Sequence, residues 1–225
     1  MFPDMDSDPA PEAGRVQASG TAAIRGDIVG KWRPLTSRSY RFTDQSLMPR
    51  SIPPPDRILF SAETIAARVS ELGAQITSDY RGRSLVILTV LKGSFVFAAD
   101  LIRCIDLPLR VEFLGVASYG TGTKSTGVVQ ITQDITSPIA DEDILLVEDI
   151  VDSGLTINYL LRQLQTRSPR TLKVCALLYK PSRAQVEVCI DYLGFTIEDE
   201  YVVGYGLDHA QAYRNLPHLG VLATE

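Results

Sequence analysis

From Ser61 onward, apolar residues return along the chain at regular intervals. Ile65, Val69 and Leu72 recur at helical spacing, Glu63 sits in the first turn, and Gly73 follows as a stop, so a helix is predicted there. Leu85–Leu91 is an apolar run, too short for a typical helix and rich in branched side chains, and it predicts a buried strand. Ser94–Ile105 reads as a second helix with Phe95, Ala98, Ala99 and Ile102 inward, and Leu109–Val116 as another strand. The polar, glycine-rich stretch Ser118–Gly127 separates it from a strand over Val128–Thr132. A short strand over Ile144–Val147, a helix from about Gly154 to Gln165 and a strand over Leu172–Leu178 follow. Shorter strands are predicted near Val188–Leu193 and Tyr201–Val203. Strands alternating with helices imply an α/β fold: a mostly parallel twisted sheet flanked by helices.

Residues 1–55 have another character. Pro3, Pro9, Pro11, Pro34, Pro49 and the run Pro53-Pro54-Pro55 interrupt a segment without helical or strand period. It reads as a disordered extension, leaving 56–225 as the folded domain. Arginines late in the extension would suit a transit peptide, but Asp4, Asp6 and Asp8 oppose that and a secretory signal alike. Met48 is a second candidate start, and Trp32 reads as a lone exposed aromatic.

Composition narrows the function classes. With 225 residues, 45% hydrophobic and 22% charged, the chain can bury a full core. A net charge of −5 argues against a nucleic-acid binder, which would present a basic face. No apolar run approaches the roughly 20 residues that cross a bilayer. Cys104, Cys175 and Cys189 lie in apolar stretches without metal or redox spacing, so they read as buried small hydrophobes in a cytoplasmic protein. Two histidines, His209 and His218, leave little room for a histidine metal site or a Ser-His-Asp triad.

The chemically expensive residues cluster just after predicted strands: Lys92-Gly93, Ser118-Tyr119-Gly120, Glu148–Thr156 and Tyr179–Arg183. In an open parallel sheet these ends share one edge, where ligands bind. Glu148, Asp149 and Asp152 place three carboxylates within five residues, which repel unless sugar hydroxyls or a metal ion satisfy them. Asp152-Ser153-Gly154-Leu155-Thr156 then runs into a helix, and its amides, hydroxyls and dipole suit one phosphate. It lacks the leading glycine and the lysine of a Walker loop. An acidic strand end with a Ser153 helix cap is the plainer reading of the same residues.

Glu148-Asp149-Ile150-Val151-Asp152-Ser153-Gly154-Leu155-Thr156 closely resembles the phosphoribosyl pyrophosphate motif of the type I phosphoribosyltransferases. Leu91-Lys92-Gly93, Ser118-Tyr119-Gly120, Lys180-Pro181-Ser182-Arg183 and Val202–Asp208 extend the resemblance to the hypoxanthine-guanine enzymes of bacterial type, over roughly residues 57–224. That resemblance implies a small hood made by the C-terminal segment, magnesium as cofactor, and a homodimer or homotetramer. It implies that Glu148 and Asp149 hold the ribose hydroxyls directly or through magnesium, with Asp208 as a further metal ligand. Asp152 would be the general base, and Ser153, Gly154, Leu155 and Thr156 would bind the 5′-phosphate. Lys180 would donate to the purine O6, Tyr201 would stack on the ring and the Val202 backbone would read its far edge. Lys92, Gly93 and Arg214 would bind pyrophosphate, with Arg183 either ordering that side or serving a structural role, and Ser118 and Tyr119 would begin a closing lid. His209 stands where the family more often has tyrosine and suggests only a change in packing.

Two alternatives stay open from residues alone. One is transfer to another base, such as xanthine, adenine or uracil. The other is a nucleotide-sensing regulator of the same fold, which the acidic charge and the lack of a helix-turn-helix pattern disfavour.

Overall fold

The structure, a computed structural model, describes residues 53–119 and 128–223. The predicted extension lies outside the described residues except for Pro53, Pro54 and Pro55, and so does the lid stretch from residue 120 to 127. Ser118 and Tyr119 belong to the end of a strand.

Six strands form the main sheet: β2 (Leu85–Leu91), β3 (Leu109–Tyr119), β4 (Val128–Gln133), β5 (Asp143–Val151), β6 (Thr171–Tyr179) and β7 (Tyr192–Thr196), in the order β4-β3-β2-β5-β6-β7. All neighbours are parallel except β3 and β4. Helices α1 (Ala62–Asp79) and α2 (Phe95–Cys104) cover one face and α3 (Leu155–Gln165) the other. Successive strand residues point to opposite faces. Ile87, Leu145 and Leu177 therefore pack with Ile65, Val69 and Leu101, while Val86, Leu88 and Leu146 pack with Ile157, Leu160 and Leu164. With both faces covered, β2 is apolar except for the buried Thr89, which is why it reads as an apolar run without alternation.

A second, three-stranded antiparallel sheet of β1 (Arg57–Phe60), β9 (Leu219–Leu222) and β8 (Tyr201–Val203) forms the hood, in the order β1-β9-β8. Strands β1 and β9, each four residues long, are not among the elements that the sequence pattern predicts.

Several expectations need correction. Gly73 does not stop α1, which runs on to Asp79. A Cβ on Gly73 would sit 2.5 Å from the Cys104 Cβ, so this glycine lets the two helices approach closely. The inner face of α2 is Phe97, Ala98 and Leu101, while Phe95 is 44% exposed. Strand β7 begins at Tyr192, four residues later than the predicted start at Val188. Of the three thiols only Cys175 is buried, and Cys189 is exposed on the connection before β7.

The topology fixes where a ligand fits. From β2 the chain crosses through α2 to β3 on one side, and from β5 it crosses through α3 to β6 on the other. The crevice between β2 and β5 is thus the point where the strand order reverses. Their pairing runs from Val86↔Ile144 to Thr89↔Val147, and beyond Val147 strand β5 stays paired only with β6, through Val151↔Tyr179. The two strands part where Glu148 begins.

Candidate active site

That parting opens a cavity of about 390 Å³ lined by Lys92, Gly93, Glu148, Asp149, Asp152, Lys180, Tyr201, Val202, Asp208 and Arg214, with apolar walls from Val90, Leu91, Val116, Ile150 and Leu207. Ten residues expected at a site from separate stretches of sequence share one opening. Ser153, Gly154, Leu155 and Thr156 are not among its lining residues and form the turn into α3. Ser118 and Tyr119 end β3, the strand that contributes Val116 to the wall.

Glu148 and Asp149 lie on β5 itself, and Asp152 follows its last residue, Val151. Glu148 is only 8% exposed, and burial, with Asp149 beside it, holds its carboxyl well above the usual range. Burial likewise pushes Asp149 up to about 6, although amide hydrogen bonds and the Arg214 guanidinium pull the other way. The Asp149 carboxylate accepts from the Ile150 N–H at 2.8 Å. Two acids held this way are poorly solvated as anions and gain from a cation.

Gly93 owes its identity to the same carboxylate, because a Cβ there would run into Asp149 Oδ2. The Leu91–Lys92 peptide preceding it is cis. Behind the loop, the buried Ser94 hydroxyl donates to the Val90 carbonyl.

On the opposite side β8 and the turn after it close the opening. Asp208 pairs with Arg214 at 2.6 Å, and Arg214 also donates to the Gly206 carbonyl at 2.7 Å. Arg214 is therefore a fixed part of the cavity wall. Tyr201 is 40% exposed, with its hydroxyl 3.3 Å from His209 Nδ1 and its ring edge-on to the imidazole at 5.3 Å. His209 thus meets Tyr201 both by its ring edge and by a hydrogen bond.

Lys180 is 8% exposed, its amide held by the Val151 carbonyl at 3.0 Å and its Nζ lying 3.6 Å from Asp199. Arg183 corrects the sequence reading. It lies not on the Lys92 side but between Asp152, at 3.2 Å, and Asp199, at 3.5 Å. The short 3-10 turn Pro181–Arg183 directs it there. Asp199 was missed, since an acid among Glu198 and Glu200 looks like a solvated run; only its closeness to Lys180 and Arg183 in space marks it.

The turn at Ser153–Thr156 is tightly built. Gly154 takes a left-handed φ of +79°, and a Cβ on it would stand 2.6 Å from the Val186 carbonyl oxygen. The Ser153 carbonyl accepts from the amides of Gln185 and Val186, at 3.0 and 3.3 Å. Gly154 at the helix start has no side chain to cap with, and the Ser153 hydroxyl accepts from the Leu155 N–H at 3.4 Å, so the plainer helix-start reading of Ser153 keeps one contact.

Among the described residues, no three His, Cys, Asp or Glu groups stand close enough to cage a metal alone. Magnesium needs only one or two carboxylates when substrate phosphates complete its octahedron. The buried pair Glu148 and Asp149, with Asp208 across the cavity, suits that mode.

Residues 58–210 match the phosphoribosyl transferase domain family. The chain is 49% identical over 171 residues to the hypoxanthine-guanine phosphoribosyltransferase of Mycobacterium avium, covering 73% of this chain and 84% of the relative. It is 45% identical to that of Bacillus subtilis, covering 74% of this chain and 93% of the relative. The crystal structure of a hypoxanthine-guanine phosphoribosyltransferase from Bacillus anthracis with HEPES in its active site superposes with a TM-score of 0.73 at 44% identity, over 76% of this chain and all of that one. With the motifs in order, the cavity at the strand reversal and relatives matched over most of their length, the chain belongs to the phosphoribosyltransferase family, among its hypoxanthine-guanine members.

Proposed function

We propose that the chain joins a 6-oxopurine, hypoxanthine or guanine, to the ribose 5-phosphate of phosphoribosyl pyrophosphate in purine salvage. The observation that carries this reading is the meeting of Lys92, Asp149, Asp152, Lys180 and Asp208 on one cavity. In the reaction N9 of the base bonds to C1 of the ribose, the bond from C1 to pyrophosphate breaks, and N7 loses a proton. Asp152 is the acceptor for that proton, a carboxylate within the cavity and 41% exposed.

The remaining residues bind and orient. Lys180 donates to O6; an ammonium has nothing to accept with, so adenine's amino group leaves it unpaired. Tyr201 stacks on the purine, and the Val202 backbone meets its far edge. Ser153, Gly154, Leu155 and Thr156 hold the 5′-phosphate. Lys92, the Gly93 backbone and Arg214 bind pyrophosphate, and Ser118 and Tyr119 lead into the lid. Glu148 and Asp149 hold the ribose hydroxyls and, with Asp208 and the substrate's oxygens, magnesium, whose chemistry is to neutralise charge on the departing pyrophosphate.

The catalytic domain is read as residues 56–225, with residues 1–55 an extension to it. Exposed Phe95 and Phe113 support assembly into a homodimer or homotetramer, which light scattering on the purified chain would measure. No described helix is long and apolar enough to cross a membrane, and the unpaired thiols suit work in the reducing cytoplasm.

The test is turnover of the full chain with phosphoribosyl pyrophosphate, magnesium and a panel of bases. Nucleotide and pyrophosphate should form with hypoxanthine or guanine. Product only with adenine, xanthine or uracil would overturn the assignment.

A further inference from the structure

The turn that carries the cavity wall from β8 to Asp208 has three successive left-handed residues: Gly204, Tyr205 and Gly206, with φ of +95°, +47° and +103°. Glycine adopts this conformation freely, but a tyrosine there is strained and must be held by its surroundings. Tyr205 is held at both ends. Its amide donates to the Leu216 carbonyl at 2.9 Å, and its buried side chain reaches α2, where the hydroxyl donates to Asp100 Oδ2 at 2.6 Å. Burial first, and the Asp100 bond after it, raise the phenol well above its ordinary range, so it remains a donor at any working pH.

Both partners lead directly to the pyrophosphate side of the cavity. Helix α2 begins two residues after Gly93, with the Ala98 amide donating to the Ser94 carbonyl at 2.8 Å. Gly206, next to Tyr205, lies so close to the loop that a Cβ on it would run into the Gly93 carbonyl oxygen. The Gly206 carbonyl in turn accepts from Arg214, which is paired with Asp208. The loop bearing Lys92 and the pair Asp208–Arg214 thus face each other across a turn whose side-chain hydrogen bond to α2 is that of Tyr205.

We infer that Tyr205 is a positioning residue: through Asp100 it sets the spacing between the Lys92–Gly93 loop and the Asp208–Arg214 pair, and so governs the grip on pyrophosphate and phosphoribosyl pyrophosphate but not on the purine. The inference rests on the pyrophosphate role proposed for that loop. Lys180 and Arg183 stand on the segment after β6 and are tied to Asp199, and Tyr201 and Val202 are held by pairing with Leu222 and Val221 of β9, so a shift of the turn leaves these four in place. A residue needed only for folding would weaken both substrates alike.

The experiment compares steady-state kinetics of the full chain and its Y205F, D100A, D100N and Y205F/D100A variants, with thermal melts to confirm folding. Y205F keeps the ring and loses the hydrogen bond. It should raise KM for phosphoribosyl pyrophosphate, and Kd for pyrophosphate, roughly fivefold to tenfold, with KM for hypoxanthine within about twofold. D100A should match Y205F, the double variant should be no worse than either, and D100N, which keeps an acceptor, should return to within about twofold of the parent. Equal losses for both substrates, an unchanged response to phosphoribosyl pyrophosphate, or additive losses in the double variant would overturn the inference. If Y205F does not fold, the contrast between D100A and D100N decides the matter in the same terms. A parent chain inactive with hypoxanthine and guanine would instead remove the functional reading beneath it.

Discussion

The two halves of the cavity are built on different principles. On the Lys92 side, main chain is closely packed: the Asp149 carboxylate lies against the Gly93 backbone and the Gly206 turn lies on the Gly93 carbonyl, with no room for a methyl group at either glycine. On the Lys180 side, charged side chains meet: Asp152, Arg183, Asp199 and Lys180 form a chain of ion pairs at 3.2–3.6 Å, and Asp152, Arg183 and Asp199 are 41–51% exposed. The first half is preformed, since its shape is set by main chain in close contact. The second is adjustable, since surface ion pairs contribute little energy and exchange partners readily. In the roles proposed above, a leaving group that is always pyrophosphate suits the former, and a base that varies between hypoxanthine and guanine suits the latter.

Variants can break this contrast. The largest effect is expected from Asp152→Asn on the adjustable side, because it removes the proposed proton acceptor: kcat should fall roughly 10²-fold or more with modest change in binding. Turnover near that of the parent would take Asp152 out of the chemistry. On the preformed side Gly93→Ala should lower kcat/KM by about 10²-fold, as a methyl group forces the loop and Asp149 apart. Soaking up that methyl group without loss would show the loop to be as adaptable as the ion pairs. Lys180→Ala should raise KM for hypoxanthine about tenfold or more while KM for phosphoribosyl pyrophosphate stays within about twofold, measured by varying each substrate in turn. Equal changes would mean that the two halves are not independent.

The smallest effect concerns pH and stability. Asp149 titrates at about 6 in the fold against an ordinary 3.8, so the folded chain holds a proton that the unfolded chain has lost between those values. This raised carboxyl weakens the fold fully above about pH 6, and the penalty shrinks as the pH falls toward 3.8. Without divalent metal, Asp149→Asn should therefore melt above the parent at pH 7.5, with the gap narrowing by pH 5. A gap that widens on acidification would contradict the burial argument.

How far the sequence reveals such a site depends on the range of the interactions. The sheet was legible because β2, β5 and β6 are apolar on both faces, and the carboxylates at 148, 149 and 152 because their repulsion demands a partner. Gly73 misled because its role is contact with Cys104, 31 positions further on, and nothing local distinguishes that from a helix stop. Arg183 was set on the wrong side because a three-residue turn, invisible in periodicity, aims it at Asp152 and Asp199. Tyr205 was legible only as part of a motif; its bond to Asp100 spans 105 residues and leaves no trace in either neighbourhood.

The hood pairs Arg57 with Val221, so one small sheet needs both extremes of the described chain. A ribosome delivers the N-terminal end first. All six strands of the large sheet have emerged once Thr196 is made, yet β1 must wait unpaired until β9 follows. A nascent chain stalled before Leu219 would carry the β5 acids and Lys180 without the partner strand that backs Tyr201 and Val202, a cavity lacking the support of one wall.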